Sequence, residues 1–596
     1  MRVIRAELRP HLIAAATYAL LAVLVMLPVA GDPARLALGH PGNDVWNHVW
    51  GYAWVARSLA DGELPLRAAA LQWPDGGSLW FIDTFGAVLT LPVQWAFGPV
   101  AAYNTSIAAN LWLCGFGAWL LALRVTNSPP GAWLAGVAYA TVPQLLGQAY
   151  NGISETMAAG WLPLAALAMR EAARAPSARS GALAGAVWAV ATIANWYYGL
   201  FAAMLALGLF ARAAWRGPPP GALAAVLAGG AVAAAIMAPP FVLFVRSMEA
   251  ADALVSRDPA FNWMTLILHN MTDGLALVHP GKFYSPDLKA TFGEDLIVVV
   301  YLGHVLLWPA LAGLLLARPR GVAVAWGAAA AVFLVLTLGP YLYFGGDYVQ
   351  VAGGWVPLPF LALFEWFPMF GRISHAYRFA IGASLALAVL AAWGVRAAGQ
   401  RGWRTVPLAV GLAVARVFES LLGSAAVWPV PASALEVPAI YAELDGGAIL
   451  DLPVGVPVLA RSKYLAYQLV HEQPVPYGLN DPTPPYLYYN RFTQYLIELE
   501  RSTITMLPPD LPWLDVELGR AAAVEDGLRW IVVHRDLYPG AQAEKIARFL
   551  DLYATPVFDG EGLRVYRLDA AIAPVSRADT GSAAALPTTT LPSAVR

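Results

Sequence analysis

Residues 40–66 read HPGNDVWNHVWGYAWVARSLADGELPL, a polar, Trp-rich stretch beginning ten residues beyond an apolar run at 11–30. That run is itself preceded by Arg2, Arg5 and Arg9. Charge followed by an apolar run is the order of a signal peptide. However, about 20 residues is enough to cross a bilayer, and many similar runs follow. The first run is therefore predicted to be an uncleaved span with its arginines in the cytoplasm. Residues 40–66 then belong to a loop on the opposite, outward face.

The composition agrees with a chain that lives in lipid. Of 596 residues, 59% are apolar and 13% charged, with 37 basic against 39 acidic side chains and a net charge of −2. The charged share is about half that of a soluble protein. This excludes a soluble enzyme and a disordered chain, and the lack of basic excess excludes a nucleic-acid binder. One cysteine, Cys114, excludes a disulfide scaffold, a Cys-based zinc site and an iron–sulfur cluster.

Further apolar runs at 100–123, 131–149, 156–170, 181–196, 198–214, 221–245, 296–317, 321–343, 377–395 and 405–428 predict about eleven spans in all. With the N-terminus inside, alternation puts Arg124, Arg170/Arg174/Arg179, Arg212/Arg216, Arg318/Arg320 and Arg396/Arg401/Arg404 all in the cytoplasm. Phe85–Phe97 is apolar but too short to cross, and counting it would invert every later cluster; it is predicted to lie at the outer interface. Span 405–428 is the weakest, because it contains Arg416 and Glu419.

The expected domains are a membrane domain over 1–428, with outward loops at 31–99, 246–295 and 344–376, an α/β domain over 429–575, and a disordered tail over 576–596. Prolines at 429, 431 and 438 open the second domain. Ala448–Leu452, Arg529–His534 and Leu563–Leu568 read as strands, and Lys463–His471 and Ala541–Tyr553 as helical. The tail is rich in Ser, Thr, Ala and Pro.

Spans 100–123, 181–196, 221–245 and 321–343 hold no internal Asp, Glu or Lys, whereas ionisable loop residues collect on the outward side. That distribution favours chemistry or binding at the outer surface over a midplane transport site. In the first loop, Asp44 and His48 open an amphipathic helix whose Trp residues suit an interfacial belt. Asp44 sits near an N-cap position, so a capping role stands beside a functional one. Glu155 follows the outward turn Tyr150–Ser154, as a helix N-terminal acid or as a second carboxylate facing Asp44. Loop 246–295 carries His269, His279 and Lys282, in a spacing that matches no zinc pattern. Phe364–Gly382, FEWFPMFGRISHAYRFAIG, sets Arg372, His375 and Arg378 at the outer border, against the positive-inside trend. Guanidinium groups there suit either a lipid phosphate or diphosphate, or plain headgroup anchoring.

Taken in order, GNDVWNHVW (Gly42–Trp50), QWPDGGSLWF (Gln72–Phe81), FGPVAAYN (Phe97–Asn104) and GRISHAYRFA (Gly371–Ala380) resemble the GT-C superfamily of membrane glycosyltransferases, which take sugars from polyprenyl-phosphate carriers. GAILDLPV (Gly447–Val454) and LRWIVVHRD (Leu528–Asp536) are similar to the C-terminal extracytoplasmic domain of large bacterial members. The resemblance covers most of residues 1–570.

It implies a multi-pass protein of the bacterial inner membrane, with a cytoplasmic N-terminus and an extracytoplasmic C-terminal domain. The implied reaction is inverting transfer of a hexosyl or pentosyl group to a glycan, lipid or protein acceptor. Asp44 takes the family's catalytic-base role, with Glu155 as its companion. His48, His269, Lys282, Arg372, His375 and Arg378 are the candidate substrate-binding residues, the cations stabilising the departing phosphate. Asp44 has no second acid beside it, so no metal cofactor is expected. A lipid or polysaccharide transporter or assembly factor of the same architecture is the alternative, and a chaperone-like protein that binds a partner through its C-terminal domain is a third.

Overall fold

The computed structural model describes residues 2–254, 259–269, 271–280, 297–454, 462–479, 484–501 and 516–569. By contacts they fall into two units: Met1–Tyr441 with Val456–Glu472 and Tyr477–Pro482, and Ala442–Gly455 with Gln473–Pro476 and Thr483–Arg596.

The first unit is helical. Among the described residues, six helices are long and apolar enough to cross a membrane: Leu8–Val29, Pro99–Thr126, Ala222–Glu249, Arg320–Thr337, Ala376–Gly399 and Thr405–Leu422. Shorter apolar helices cover Ala178–Ala194, Trp196–Gly208 and His304–Leu316. The runs expected at 131–149 and 156–170 are not continuous helices. The first is α-helical over Pro129–Ala140 and again over Pro143–Asn151. Pro143 lacks an amide hydrogen and pushes Val142 out of the helical region, which breaks the run there. The second opens as a 3₁₀ segment, Ser154–Gly160, before the helix Trp161–Arg174.

Ala376–Gly399 is wholly enclosed by the other helices. Glycines permit the close approach: a Cβ on Gly131 would lie 2.5 Å from the Ala392 carbonyl, and one on Gly313 would lie within 2 Å of the Leu390 carbonyl. By contrast, Ala222–Glu249 leaves Leu223, Val226, Leu227, Phe241 and Val242 exposed, as a helix bathed in lipid tails does.

The two charges in Thr405–Leu422 face each other and the start of a neighbouring helix. Arg416 is 1% exposed, lies 3.2 Å from Glu419 and donates to the Leu302 carbonyl at 2.8 Å. Glu419 accepts from the His304 amide (2.6 Å) and the Tyr301 hydroxyl (3.0 Å), at the start of helix His304–Leu316.

A short strand pair relates the two ends of this unit. β1 (Leu36–Leu38) runs antiparallel to β2 (Ala432–Ala434), and Ser433 Oγ donates to the Gly39 carbonyl at 2.6 Å. A strand pair cannot straddle a bilayer. The pairing sets the segments that follow the first and last of these helices side by side.

Phe85–Phe97 is not a span but two short helices, Thr84–Leu89 and Leu91–Phe97. Their surface is inverted: Val88, Leu89, Trp95 and Phe97 are exposed, whereas Gln94 is buried and donates to the Tyr52 carbonyl at 3.0 Å.

The second unit carries a four-stranded sheet built from β3 (Ala448–Leu452), β4 (Leu528–His534), β5 (Thr555–Gly560) and β6 (Leu563–Arg567), in the order β5–β6–β4–β3. β3 and β4 are parallel and the other pairs antiparallel. Buried His534 Nε2 lies 3.0 Å from Asp451 Oδ1 across the parallel pair.

Candidate active site

Helix α1 (Val45–Ala60) positions the first set of candidates. Two close approaches hold its start. The Gly39–Asp44 segment runs along the turn at 150–152: the His40 amide donates to the Tyr150 carbonyl (2.7 Å) and the Asp44 amide to the Asn151 carbonyl (3.0 Å). Gly39 and Gly152 adopt positive φ of 130° and 78°, and a Cβ on either would strike Val45 at about 2.5 Å.

Asp44 occupies the N-cap position without making a side-chain cap; its Oδ1 accepts from Asn47 Nδ2 at 2.9 Å. Asp44 is 7% exposed. Trp46 and Trp50 correct the interfacial-belt expectation, being 1% and 2% exposed. The reason lies far along the chain. Trp50 donates its indole N–H to Gln468 at 2.7 Å, and Ser462 Oγ donates to the Asn43 carbonyl at 2.7 Å, so the helix Ser462–His471 covers α1.

One turn beyond Asp44, His48 stands at the centre of a polar cluster. Its Nδ1 is 3.0 Å from Ser154 Oγ, and its Nε2 is 3.6 Å from Glu155 Oε2. Ser154 Oγ donates a short hydrogen bond to Asp83, which also accepts from the Tyr52 hydroxyl (2.7 Å) and the Gly86 amide (3.1 Å). Glu155 Oε1 lies 3.6 Å from Arg378 Nη2, and the Arg378 guanidinium sits 5.2 Å over the Tyr197 ring.

Burial dominates the electrostatics. It pushes the Glu155 carboxyl up to about 7; Arg378 opposes the shift, while Asp83 and Asp44 add to it. Burial likewise pushes Asp83 up to about 6 against its hydrogen bonds from Ser154, Tyr52 and Gly86. Burial and Arg378 hold His48 down to about 3.

The sequence candidates thus divide. Asp44, His48, Glu155 and Arg378 are brought together. Arg372 lies apart in exposure, on the surface at the turn Phe370–Arg372. His375 is half-buried, its Nδ1 2.8 Å from Ser374 Oγ. Lys282 and the His269 side chain fall outside the described residues. Asp83, Ser154 and Tyr52 were not among the candidates. The only local signal was Asp83 three residues before Gly86, which reads as a helix cap; nothing nearby in sequence points to Ser154. Among the described residues no group of three His, Cys, Asp or Glu side chains is placed to hold a metal ion.

No protein-family model and no curated protein sequence matches the chain. Solved structures do. The arabinofuranosyltransferase AftD from Mycobacteria superposes with a TM-score of 0.60 at 15% identity, over 95% of this chain and 40% of that one. The chain shares the fold of the part of AftD that it covers. A variant of the same mycobacterial enzyme gives 0.54 at 14% identity, over 95% of this chain and 42% of that one. ArnT from Cupriavidus metallidurans, solved with undecaprenyl phosphate bound, gives 0.43 at 14% identity, over 93% and 97%, too loose a likeness to align sites. The chain spans 40% of the length of AftD, so what the two share is a fold over that part rather than the whole molecule.

Proposed function

We propose that the chain is a membrane glycosyltransferase that moves a hexosyl or pentosyl group from a polyprenyl-phosphate donor to an extracytoplasmic glycan, lipid or protein acceptor, with inversion. The observation that carries this reading is the convergence of a carboxylate, Asp44, and a buried guanidinium, Arg378, on one cluster of a GT-C fold, close enough that both act on Glu155.

In this reading Asp44 takes the proton from the acceptor hydroxyl as its oxygen attacks the anomeric carbon. The bond from that carbon to the phosphate oxygen breaks on the opposite face, and polyprenyl phosphate leaves. Arg378 meets the charge gathering on that phosphate, and Arg372 anchors the carrier at the surface. Glu155 and His48 hold Arg378 in place. The likeness to an arabinofuranosyltransferase makes a pentosyl donor the first to assay.

The test is transfer from a radiolabelled polyprenyl-phosphate sugar in membranes containing the protein. Expected are release of polyprenyl phosphate and a product of inverted anomeric configuration by NMR. A panel of pentosyl and hexosyl donors that gives neither would remove the transferase reading.

A further inference from the structure

Counting donors around His48 fixes where a proton must be. Asp83 is ringed by three donors, from Tyr52, Ser154 and Gly86, and acts only as acceptor. Ser154 has one hydroxyl hydrogen, and Asp83 takes it. Toward His48 Nδ1, 3.0 Å away, Ser154 Oγ therefore accepts, so Nδ1 carries hydrogen. In a neutral imidazole the other nitrogen is then bare. That nitrogen, Nε2, faces Glu155 Oε2 at 3.6 Å, and Oε2 has no hydrogen-bond partner. Two bare lone pairs facing one another in a buried site repel, unless a proton lies between them.

We propose that Glu155 Oε2 carries a proton facing the bare His48 Nε2, that Asp83 fixes its place through Ser154, and that the neutral carboxyl leaves Arg378 its full positive charge to offer the donor's phosphate. The last clause rests on the function proposed above; the first two do not. Asp83, Ser154 and His48 are positioning residues, acting on Arg378 through Glu155.

The charges around Glu155 favour this placement. Asp44 and His48 face it from the N-cap and first turn of α1, Asp83 from the segment before Gly86, and Arg378 from the first turn of the enclosed helix; Tyr103, Tyr197, Tyr198 and Tyr377 complete the surroundings. Glu155 is pushed up to about 7 and His48 down to about 3, so the proton rests mainly on Glu155. When it leaves, the Glu155 carboxylate sits 3.6 Å from Arg378 and cancels its charge.

The experiment is donor KM against pH, from 6 to 9, for wild type, Glu155→Gln and Ser154→Ala. Wild-type KM rises above pH 7, by at most about tenfold per pH unit for a single proton. A glutamine amide donates N–H to His48 Nε2 and turns its oxygen to Arg378, so the Glu155→Gln KM stays level whatever its kcat. Ser154→Ala frees the imidazole to flip and moves the wild-type rise to a different pH. A level wild-type KM, or a Glu155→Gln slope equal to wild type, overturns the inference.

Nitrogen-15 NMR of histidine-labelled protein, with His48→Gln to assign the signal, decides the proton's place without any turnover. Hydrogen on Nδ1 in wild type, lost in Ser154→Ala, supports it; a neutral ring with bare Nδ1 overturns it. Absence of transfer from every polyprenyl-phosphate donor removes the function proposed above and leaves the NMR result standing.

Discussion

Arg378 Nη2 and Glu155 Oε1 face each other at 3.6 Å with side chains 11% and 3% exposed, a contact set inside the protein rather than at its rim. Truncating a long side chain packed there leaves a void among its neighbours, at a cost of about 2–5 kcal/mol. A surface arginine carries no such penalty.

Arg378 and Arg372 are therefore predicted to differ. Arg378→Ala is expected to lower the thermal midpoint of the purified protein markedly, and Arg378→Lys to fold but raise donor KM by about 10–100-fold, since a fork becomes a point charge. Arg372→Lys is expected to change KM by less than about threefold and stability by less than about 0.5 kcal/mol. Equal effects at the two positions would show that burial of Arg378 has no bearing on donor binding.

The cluster also predicts a sign for stability against pH. A carboxyl raised from its ordinary value binds its proton more tightly folded than unfolded, so its contribution is full below the unfolded value and lost as pH rises through the folded one. For Glu155 that loss runs to about 7. Asp83 acts the same way up to about 6, while His48, held down to about 3, acts in the opposite sense below its ordinary range. The difference between wild type and Glu155→Gln isolates Glu155. Thermal melts in detergent are expected to show wild type losing ground to the variant between pH 5 and 8, by on the order of 3 kcal/mol. A constant difference would mean that Glu155 is ionised throughout.

Topology can be tested on the strand pair itself. Because β1 and β2 are hydrogen-bonded, single cysteines at exposed Glu63 and Glu436 are expected to react with an impermeant maleimide from the same side. A cysteine at exposed Arg401, one helix away from Glu436, is expected to react from the other side. The native Cys114 is buried and leaves a low background. Labelling of Glu63 and Glu436 positions from opposite faces would break the pairing.

These tests separate what sequence pattern carries from what only tertiary contact decides. The strands at Ala448–Leu452 and Leu528–His534 are legible because β-branched and aliphatic runs need a sheet interior. The split of Phe85–Phe97 from the spans is legible from length and arginine placement. Arg416 and Glu419 look like a fault in a span until the loop at 301–305 is seen to supply their partners. Trp50 reads as an interfacial residue because Gln468, which covers it, is 418 positions away. Asp83 and Ser154, 71 positions apart, meet only because the first loop folds back on the turn before Glu155. Local signals stop at the cap and the turn.

Asp44 gives the sharpest separation of roles. Its side chain makes no cap hydrogen bond but accepts from Asn47 Nδ2, and an asparagine oxygen at position 44 accepts the same bond. Asp44→Asn therefore keeps shape, burial and the Asn47 contact, and removes only basicity. Loss of a general base costs about 10²–10⁴-fold in rate, whereas a lost cap costs about 1 kcal/mol of stability. The expected outcome is a correctly inserted protein with a near-wild-type melting curve, unchanged donor KM and a kcat reduced by at least about a hundredfold. Full transfer by Asp44→Asn, with kcat abolished in Glu155→Gln, would hand the base role to Glu155 and show that its carboxylate must take up a proton in turnover. Full transfer by both variants would leave the cluster without a base, and a transporter or assembly role for the same architecture would then take precedence.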